Sequence, residues 1–149
     1  MLSLTSRPEA EAPQTEATGG SLRGLTPPER EALIRAVAAE ARGESPAVWA
    51  GVAQTIINYA RVNGQSIPRL VRSSYLSSNY DGNRRYFTMP LGQIPNLDGI
   101  QAAVDAAAEG RSPVGSRRIH FHDISITMPW FGKPSSALRM GRMVFFEAR

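Results

Sequence analysis

The first apolar stripe of the chain predicts an amphipathic helix that begins near Thr26 and ends at Gly43. Its apolar positions recur every three or four residues, at Leu33, Ile34, Val37, Ala38 and Ala41. The order Thr26-Pro27-Pro28-Glu29 is that of a capping box with proline at the first helical positions. Glu40 lies at the edge of the stripe in the last turn, so we expect its carboxyl group to be partly desolvated.

Three more helices follow in the pattern. A second stripe begins at Ser45-Pro46 and ends near Asn63-Gly64, and a short third helix runs from Ile67 to Tyr75. An alanine-rich fourth helix is predicted from Gly99 to Glu109, with Asp98 as its N-cap. The four helices are expected to share one core.

The pattern between and after these helices is different. Leu76 to Asn96 is a long polar and aromatic loop, and loops of that length in a compact domain are often functional. Arg118 to His122 and Arg142 to Phe146 read as short strands, joined by a segment that contains Met128-Pro129-Trp130-Phe131. The predicted fold class is therefore α+β, mainly α, with a small β element near the C-terminus and one domain over residues 25–149.

Residues 1–24 have the composition of a flexible tail. They are rich in Glu, Ala, Pro, Thr, Ser and Gly, and their only large apolar side chains are Leu2, Leu4 and Leu22. Such a tail orders against a protein partner, so it is a candidate docking segment. It has no hydrophobic signal core, and no run in the chain approaches the length of a membrane span, so we expect neither a signal peptide nor membrane insertion.

The charge balance narrows the class of partner. The chain carries 17 Lys and Arg against 13 Asp and Glu, a net charge of +4, and Lys133 is its only lysine. A basic surface suits nucleic acid, an anionic membrane or an anionic cell wall, or it is simply a solvated face. No aromatic-interleaved RNA motif or recognition helix is evident, which disfavours nucleic acid. Cysteine is absent, which excludes a disulfide scaffold and a cysteine metal cage.

The segment around Glu40 resembles a known family. Glu40-Ala41-Arg42-Gly43-Glu44, with the segment from Trp49 to Asn58 after it, is similar to the opening of the SleB-type cell-wall hydrolases, the family of the spore cortex-lytic enzyme. Further similarities follow in the same order and cover about residues 25–146: Ile67-Pro68-Arg69-Leu70-Val71, the alanine-rich helix, Phe121-His122-Asp123, Trp130 and Gly141-Arg142-Met143-Val144-Phe145-Phe146. Tyr59 and Met143 depart from the family pattern, which usually has Arg and His there.

The resemblance implies a lysozyme-like domain that cleaves the glycan strand of peptidoglycan between N-acetylmuramic acid and N-acetylglucosamine. Glu40 matches the catalytic glutamate, and no cofactor is required. As an acid, Glu40 would protonate the glycosidic oxygen, and as a carboxylate it would then deprotonate the nucleophile. In a lytic transglycosylase that nucleophile is the sugar's own 6-hydroxyl group, so one carboxylate suffices.

A muramidase-type hydrolase needs a second carboxylate at a defined separation. The candidates are Glu44, Asp81, Asp98 and Asp123. Glu44 has a competing role in capping the second helix, Asp81 in forming a turn, and Asp98 in capping the fourth helix. No second acid stands out, which favours the transglycosylase.

Side chains with flat apolar faces or with several polar groups are the predicted glycan contacts. The predicted contacts are Tyr80, Tyr86, Arg85, His122 and Trp130, with Asn58 added by the resemblance. Tyr75 and Phe87 are weaker aromatic candidates, and core packing is the alternative for Phe87 and Trp130. Arg85 is also suited to stem-peptide carboxylates or wall phosphates. His120 and His122 have strand spacing for a shared metal ion, but no third strong ligand is evident, so we predict no metal site.

Two alternatives remain open at the level of the whole protein. One is a structural or docking component of a virion-like assembly that keeps the fold but has little or no activity. The missing signal peptide and wall-binding domain fit a bacteriophage or phage-like particle that delivers its enzyme to the cell wall and periplasm. The other is a basic nucleic-acid binder, which would need arginines that converge on one face away from Glu40.

Overall fold

The computed structural model describes residues 24–76 and 81–149, except for the side chains of residues 76, 81 and 82. Tyr80 and all of the predicted tail but Gly24 lie outside this part of the chain. The helices are α1 (Pro27–Ala41), α2 (Pro46–Asn63), α3 (Ile67–Leu70) and α4 (Leu97–Ala108), and the strands are β1 (His120–Asp123), β2 (Leu138–Met140) and β3 (Met143–Phe146). A π-helical segment, Val71–Leu76, follows α3, and 3₁₀ turns cover Asp81–Phe87, Leu91–Gln93 and Pro134–Ser136.

The predicted caps of the first two helices are confirmed. The Thr26 hydroxyl accepts a hydrogen bond from the Glu29 backbone N–H at 3.3 Å, and the Glu29 carboxylate accepts one from the Thr26 N–H at 2.9 Å. The Ser45 hydroxyl accepts from Val48 N–H at 3.4 Å, and Gly64 ends α2 in the left-handed conformation with φ 63°. The local sequence therefore determines where α1 begins and where α2 begins and ends, while α1 ends at Ala41, two residues before the predicted glycine stop.

The predicted start of the fourth helix is wrong by two residues. Asn96 is the N-cap of α4, with φ 58°, and Asp98 lies inside the first turn. Asparagine tolerates the left-handed conformation that the chain needs at this point, while an acidic residue in the first turn is favoured by the helix dipole without being the cap. The third predicted helix is confirmed over Ile67–Leu70 and continues with π-helical rather than α-helical hydrogen bonds.

The core lies between α1, α2 and α4. The side chains that are most completely shielded from water include Leu33, Ile34, Val37, Val48, Val52, Ile56, Ile100 and Val104. Close approach depends on glycine, because a Cβ at Gly99 would lie 2.9 Å from Cζ3 of Trp49. Arg30 donates two hydrogen bonds of 2.8 Å to Asp105, which ties α1 to α4. These hydrogen bonds lower the pKa of Asp105.

The strands form one antiparallel sheet in the order β1-β3-β2. Phe121 pairs with Phe145, and His120 pairs with Phe146. Because side chains alternate along a strand, the first pair faces α2, where a Cβ at Gly51 would lie 2.8 Å from the Phe145 ring. The second pair faces the segment that leads to Gly132, where a Cβ would lie 2.9 Å from Phe146.

The predicted class, mainly helical with a small β element near the C-terminus, is confirmed in this part of the chain. Strand β2 was not predicted, because its three residues are too few to show alternation. Among residues 24–76 and 81–149, no helix combines the length and the apolar character needed to cross a membrane.

Candidate active site

Glu40 lies in the last turn of α1 and is half-buried, as the edge of an apolar stripe predicts. The end of the helix is firmly bonded. The indole N–H of Trp49 donates to the Ala41 carbonyl at 2.7 Å, and the Glu44 backbone N–H donates to the same carbonyl at 2.9 Å. These two bonds satisfy a carbonyl that a helix end otherwise leaves without a partner. They fix the turn immediately after Glu40.

Tyr75, in the π-helical segment, is an electrostatic neighbour of Glu40. Burial raises the pKa of the Tyr75 hydroxyl well above its usual value, and the negative charge of Glu40 and then Tyr59 raise it further. The phenol therefore stays protonated at any ordinary pH. Its ring stacks on Phe121 of β1, with centroids 6.1 Å apart and planes inclined by 15°. Single π-helical turns are frequent at functional sites.

A second aromatic group lies on the opposite face of the sheet. The His120 ring is 5.7 Å from Tyr59, 5.0 Å from Phe131 and 5.3 Å from Phe146, between ring centroids. Burial lowers the pKa of His120, so its ring is neutral near pH 7. Tyr59 thus joins α2 to the sheet.

Trp130 extends from this group into solvent. It is 84% exposed, and its ring meets Phe131 edge to face at 5.8 Å. The Arg149 guanidinium donates to the Trp130 carbonyl at 2.6 Å, which holds the backbone that carries the ring. Core packing, the alternative for Trp130, is therefore wrong. An exposed, fixed indole is suited to stacking on an apolar sugar face.

Tyr86 does not have the open ring that was predicted for it. It is only 2% exposed, with the Arg42 guanidinium carbon 4.5 Å and that of Arg85 5.0 Å from its ring centroid. Its hydroxyl accepts a hydrogen bond from Arg85 at 2.9 Å, and this bond lowers the pKa of Tyr86. We therefore correct its role to packing beneath two arginines. Arg85 remains exposed and is available for an anionic group.

Asn58 is likewise a structural residue rather than a glycan contact. Its side chain is fully buried, and its amide donates to the carbonyls of Gly115 at 2.8 Å and Arg118 at 2.9 Å. Its carbonyl oxygen accepts from Gln54 at 2.9 Å and from Arg61 at 3.3 Å. Its amide thus joins α2 to the loop before β1, and its oxygen is occupied within α2.

His122 is half-buried beside Phe146, with ring centroids 5.5 Å apart. Its Nδ1 atom lies 2.6 Å from the Asp123 carbonyl, which requires the proton on Nδ1 and leaves Nε2 as an acceptor. Nε2 is buried and has no hydrogen-bond partner among the described residues. Within residues 24–76 and 81–149, no three His, Cys, Asp or Glu side chains lie together as metal ligands would.

The candidates for a second carboxylate differ in their surroundings. The Glu44 carboxylate accepts the Arg142 backbone N–H at 3.3 Å. Asp123 accepts two hydrogen bonds from the Arg142 guanidinium, at 2.9 and 3.2 Å; bonds from Ser125 and then from Arg142 lower the pKa of Asp123 to about 2. Asp98 is exposed at the start of α4, and the Asp81 side chain lies outside the described residues.

The structure therefore brings Glu40, Tyr75 and Phe121 into one neighbourhood. Phe121 and Arg142 were not predicted as site residues. The alternation of β1 indicates a buried face for Phe121, but no local pattern connects Arg142 with Glu44, 98 positions away.

Comparison with known proteins identified no relative of this chain. No family model matches the chain, and neither a curated protein nor a solved structure matches it significantly. The similarity to the SleB-type hydrolases and the lysozyme-like fold that it implies remain predictions from the sequence motifs.

Proposed function

We propose that this protein cleaves the glycan strand of peptidoglycan as a lytic transglycosylase with a lysozyme-like arrangement, in which Glu40 is first the acid and then the base. The observation that carries the proposal is the position of Glu40, half-buried at the end of α1 and in electrostatic contact with a buried tyrosine. Such surroundings suit a carboxyl group that must hold and return a proton.

The proposed reaction uses one carboxyl group in two steps. Protonated Glu40 gives its proton to the glycosidic oxygen while the bond from that oxygen to C1 of N-acetylmuramic acid breaks. The Glu40 carboxylate then takes the proton of the 6-hydroxyl group of the same sugar, whose oxygen bonds to C1. The products are a 1,6-anhydro sugar and a free 4-hydroxyl group on the departing N-acetylglucosamine. Because Tyr75 stays protonated, Glu40 is the member of this pair that exchanges the proton.

The hydrogen bonds of the other acids support a transglycosylase over a hydrolase. Glu44 and Asp123, the two candidates whose side chains are hydrogen-bonded in the described residues, are both occupied by Arg142. With a pKa of about 2, Asp123 is also a poor base for activating water. A mechanism with an internal nucleophile needs neither residue.

The glycan contacts that we propose are Trp130 and Arg85. Trp130 lies in the aromatic group on the face of the sheet opposite Phe121, so it binds the glycan strand away from the bond that Glu40 cleaves. Trp130 offers an exposed ring for stacking, and Arg85 an exposed cation for a stem-peptide carboxylate or a wall phosphate. His122 is not among these contacts, because its Nε2 atom is buried and its Nδ1 atom is bonded to the Asp123 carbonyl.

Digestion of purified peptidoglycan tests the proposal. We expect the wild type to release disaccharide-peptides that are lighter by one water than the hydrolytic products, as measured by mass spectrometry. Glu40→Gln should lose at least about a hundredfold in rate, since removal of a general acid costs 10²–10⁴-fold. Glu109→Gln, which changes an exposed acid paired with Arg111, is the matched control and should keep full activity. Reducing-end products, or equal release by a folded Glu40→Gln variant, would contradict the mechanism.

A second candidate is a docking component of a phage-like particle with little or no activity. Exposed large apolar side chains favour it, since Trp130 and Ile126 are 84% and 56% exposed and such groups mark interaction sites. A folded wild type that releases no fragment from peptidoglycan would favour this candidate over the enzyme.

A further inference from the structure

Arg142 joins two parts of the chain that flank Glu40. It lies in the turn between β2 and β3, and its backbone N–H donates to Glu44, in the turn between α1 and α2. Its guanidinium makes a two-pronged contact with Asp123 at the end of β1. We call these three residues, Glu44, Asp123 and Arg142, the Arg142 latch.

Gly141 is fitted to this latch in two ways. Its φ of 57° lies in the left-handed region, which favours glycine. A Cβ atom at this position would also collide with Oε1 of Glu44, the same oxygen that accepts the Arg142 N–H. The Glu44 carboxylate therefore lies directly on the backbone of the turn between β2 and β3.

The latch is the last part of a series of neighbouring residues that runs from Glu40 through the sheet to Glu44. Glu40 acts electrostatically on Tyr75, Tyr75 stacks on Phe121, and Phe121 lies two residues before Asp123 in β1. Asp123 binds Arg142, and Arg142 binds Glu44, which is four residues after Glu40. The Glu44–Arg142 bond thus ties the end of α1 to the edge of the sheet, and Glu40 acts on a tyrosine that stacks on the same sheet.

We propose that Glu44 and Arg142 are positioning residues: they hold the end of α1 against the sheet and so fix the separation between Glu40 and the Tyr75–Phe121 pair. The catalytic consequence rests on the function proposed above. A misplacement of about 1 Å in a reacting group costs up to about a hundredfold in rate. The latch therefore contributes to kcat, while KM depends on contacts elsewhere.

The first test compares Glu44→Ala with Glu44→Gln. Glutamine keeps a side-chain oxygen for the Arg142 N–H and loses only the charge, whereas alanine loses the hydrogen bond. We expect Glu44→Ala to lower kcat by about tenfold or more, with KM within about twofold. Glu44→Gln should restore most of kcat, and Glu109→Ala is the control for removal of an exposed acid. Equal kcat for Glu44→Ala and wild type, or loss that appears only in KM, would overturn the positioning role.

A second measurement does not depend on activity. Hydrogen exchange followed by NMR reports the Arg142 amide and the Trp49 indole N–H, which bonds to Ala41 beside the latch. We expect both to exchange faster in Glu44→Ala and at the wild-type rate in Glu44→Gln. Trp130→Phe identifies the Trp49 signal, because the chain has 2 tryptophans. Unchanged exchange in Glu44→Ala overturns the latch itself.

The two measurements separate failure of the latch from failure of the proposed function. Faster exchange in Glu44→Ala, together with a wild type that cleaves no peptidoglycan, supports the latch as the element that positions Glu40 and overturns only the enzymatic proposal. If Glu44→Ala does not fold, Glu44→Asp replaces it, because the aspartate side chain keeps the charge but is one methylene group too short to accept from the Arg142 N–H. It should lower kcat with KM unchanged, and unaltered kcat counts against the latch.

Discussion

Burial separates the aromatic residues into those that pack and those that can meet a ligand. Tyr86 and Trp130 looked alike as candidate sugar platforms, but one is 2% and the other 84% exposed. The difference comes from a neighbour that is distant in sequence, since Arg42 lies over the Tyr86 ring, whereas the Trp130 ring meets the adjacent Phe131 edge to face. The type of a residue indicates which contact it can make, and the surroundings of the residue determine whether a ligand can reach it.

Trp130→Ala should weaken binding to insoluble peptidoglycan about fivefold, because an aromatic stacking contact contributes about 1 kcal/mol. The measurement is a sedimentation assay in a Glu40→Gln background, where the substrate is not consumed. Trp130→Tyr should retain most of the affinity. The free energy of unfolding should change by less than about 0.5 kcal/mol, since the side chain is exposed. Undiminished binding by Trp130→Ala would remove this residue from the proposed glycan surface.

At the level of elements, the joins between helices and strands depend on buried polar groups. Asn58 of α2 holds the loop before β1 through two backbone carbonyls, Gly115 and Arg118. The Arg118 side chain continues this join by donating to the carbonyls of Val114 and Ser136. Apolar packing of α2 against β3 is non-directional, whereas these bonds fix the position of one element relative to the other.

Asn58→Ala should lower the free energy of unfolding by about 3 kcal/mol, because the buried Gln54 amide and the part-buried carbonyls of Gly115 and Arg118 lose their partner. Urea unfolding followed by circular dichroism gives this value. Asn63→Ala is the matched control: Asn63 is exposed at the end of the same helix and bonds only the Tyr59 carbonyl, so the loss should stay below about 1 kcal/mol. A similar loss of unfolding free energy in both variants would contradict the larger contribution that we assign to the buried Asn58 side chain.

At the level of the whole molecule, stability depends on keeping the aromatic group around His120 uncharged. The ring lies between Tyr59 of α2, Phe131 and Phe146, and this burial lowers the pKa of His120 below its usual value of 6.5. The unfolded chain therefore binds a proton at a higher pH than the folded chain does. The Phe131 ring meets this neutral ring edge to face, with centroids 5.0 Å apart.

We expect the free energy of unfolding to fall as pH decreases below about 6.5, because protons then favour the unfolded chain. Urea unfolding at about pH 7.5 and about pH 5 measures the loss. His120→Phe keeps an aromatic ring and cannot titrate, so its decrease should be clearly smaller. Asp123, with its pKa of about 2, and Asp105, also lowered, titrate below this range. The same decrease in His120→Phe as in wild type would rule out His120 as the cause.

The sequence by itself determined the local features of this protein. The capping box at Thr26, the proline after Ser45 and the glycine at position 64 set the start of α1 and both ends of α2, and the apolar stripe put Glu40 at a buried edge. These features depend on residues within four positions of one another, so their physical causes can be read along the chain. The class, mainly helical with a small C-terminal sheet, followed from the same patterns.

Only the tertiary structure decided what surrounds Glu40. It buried Tyr86 and Asn58, exposed Trp130, placed Tyr75 within the field of Glu40, and joined Glu44 to Arg142 across 98 positions. No periodicity predicts such contacts, because burial and hydrogen bonding depend on which elements pack together rather than on spacing along the chain. The motif from Glu40 to Glu44 thus supplies the candidate acid, and the packing of the sheet against α2 and of the π-helical segment against α1 supplies its environment.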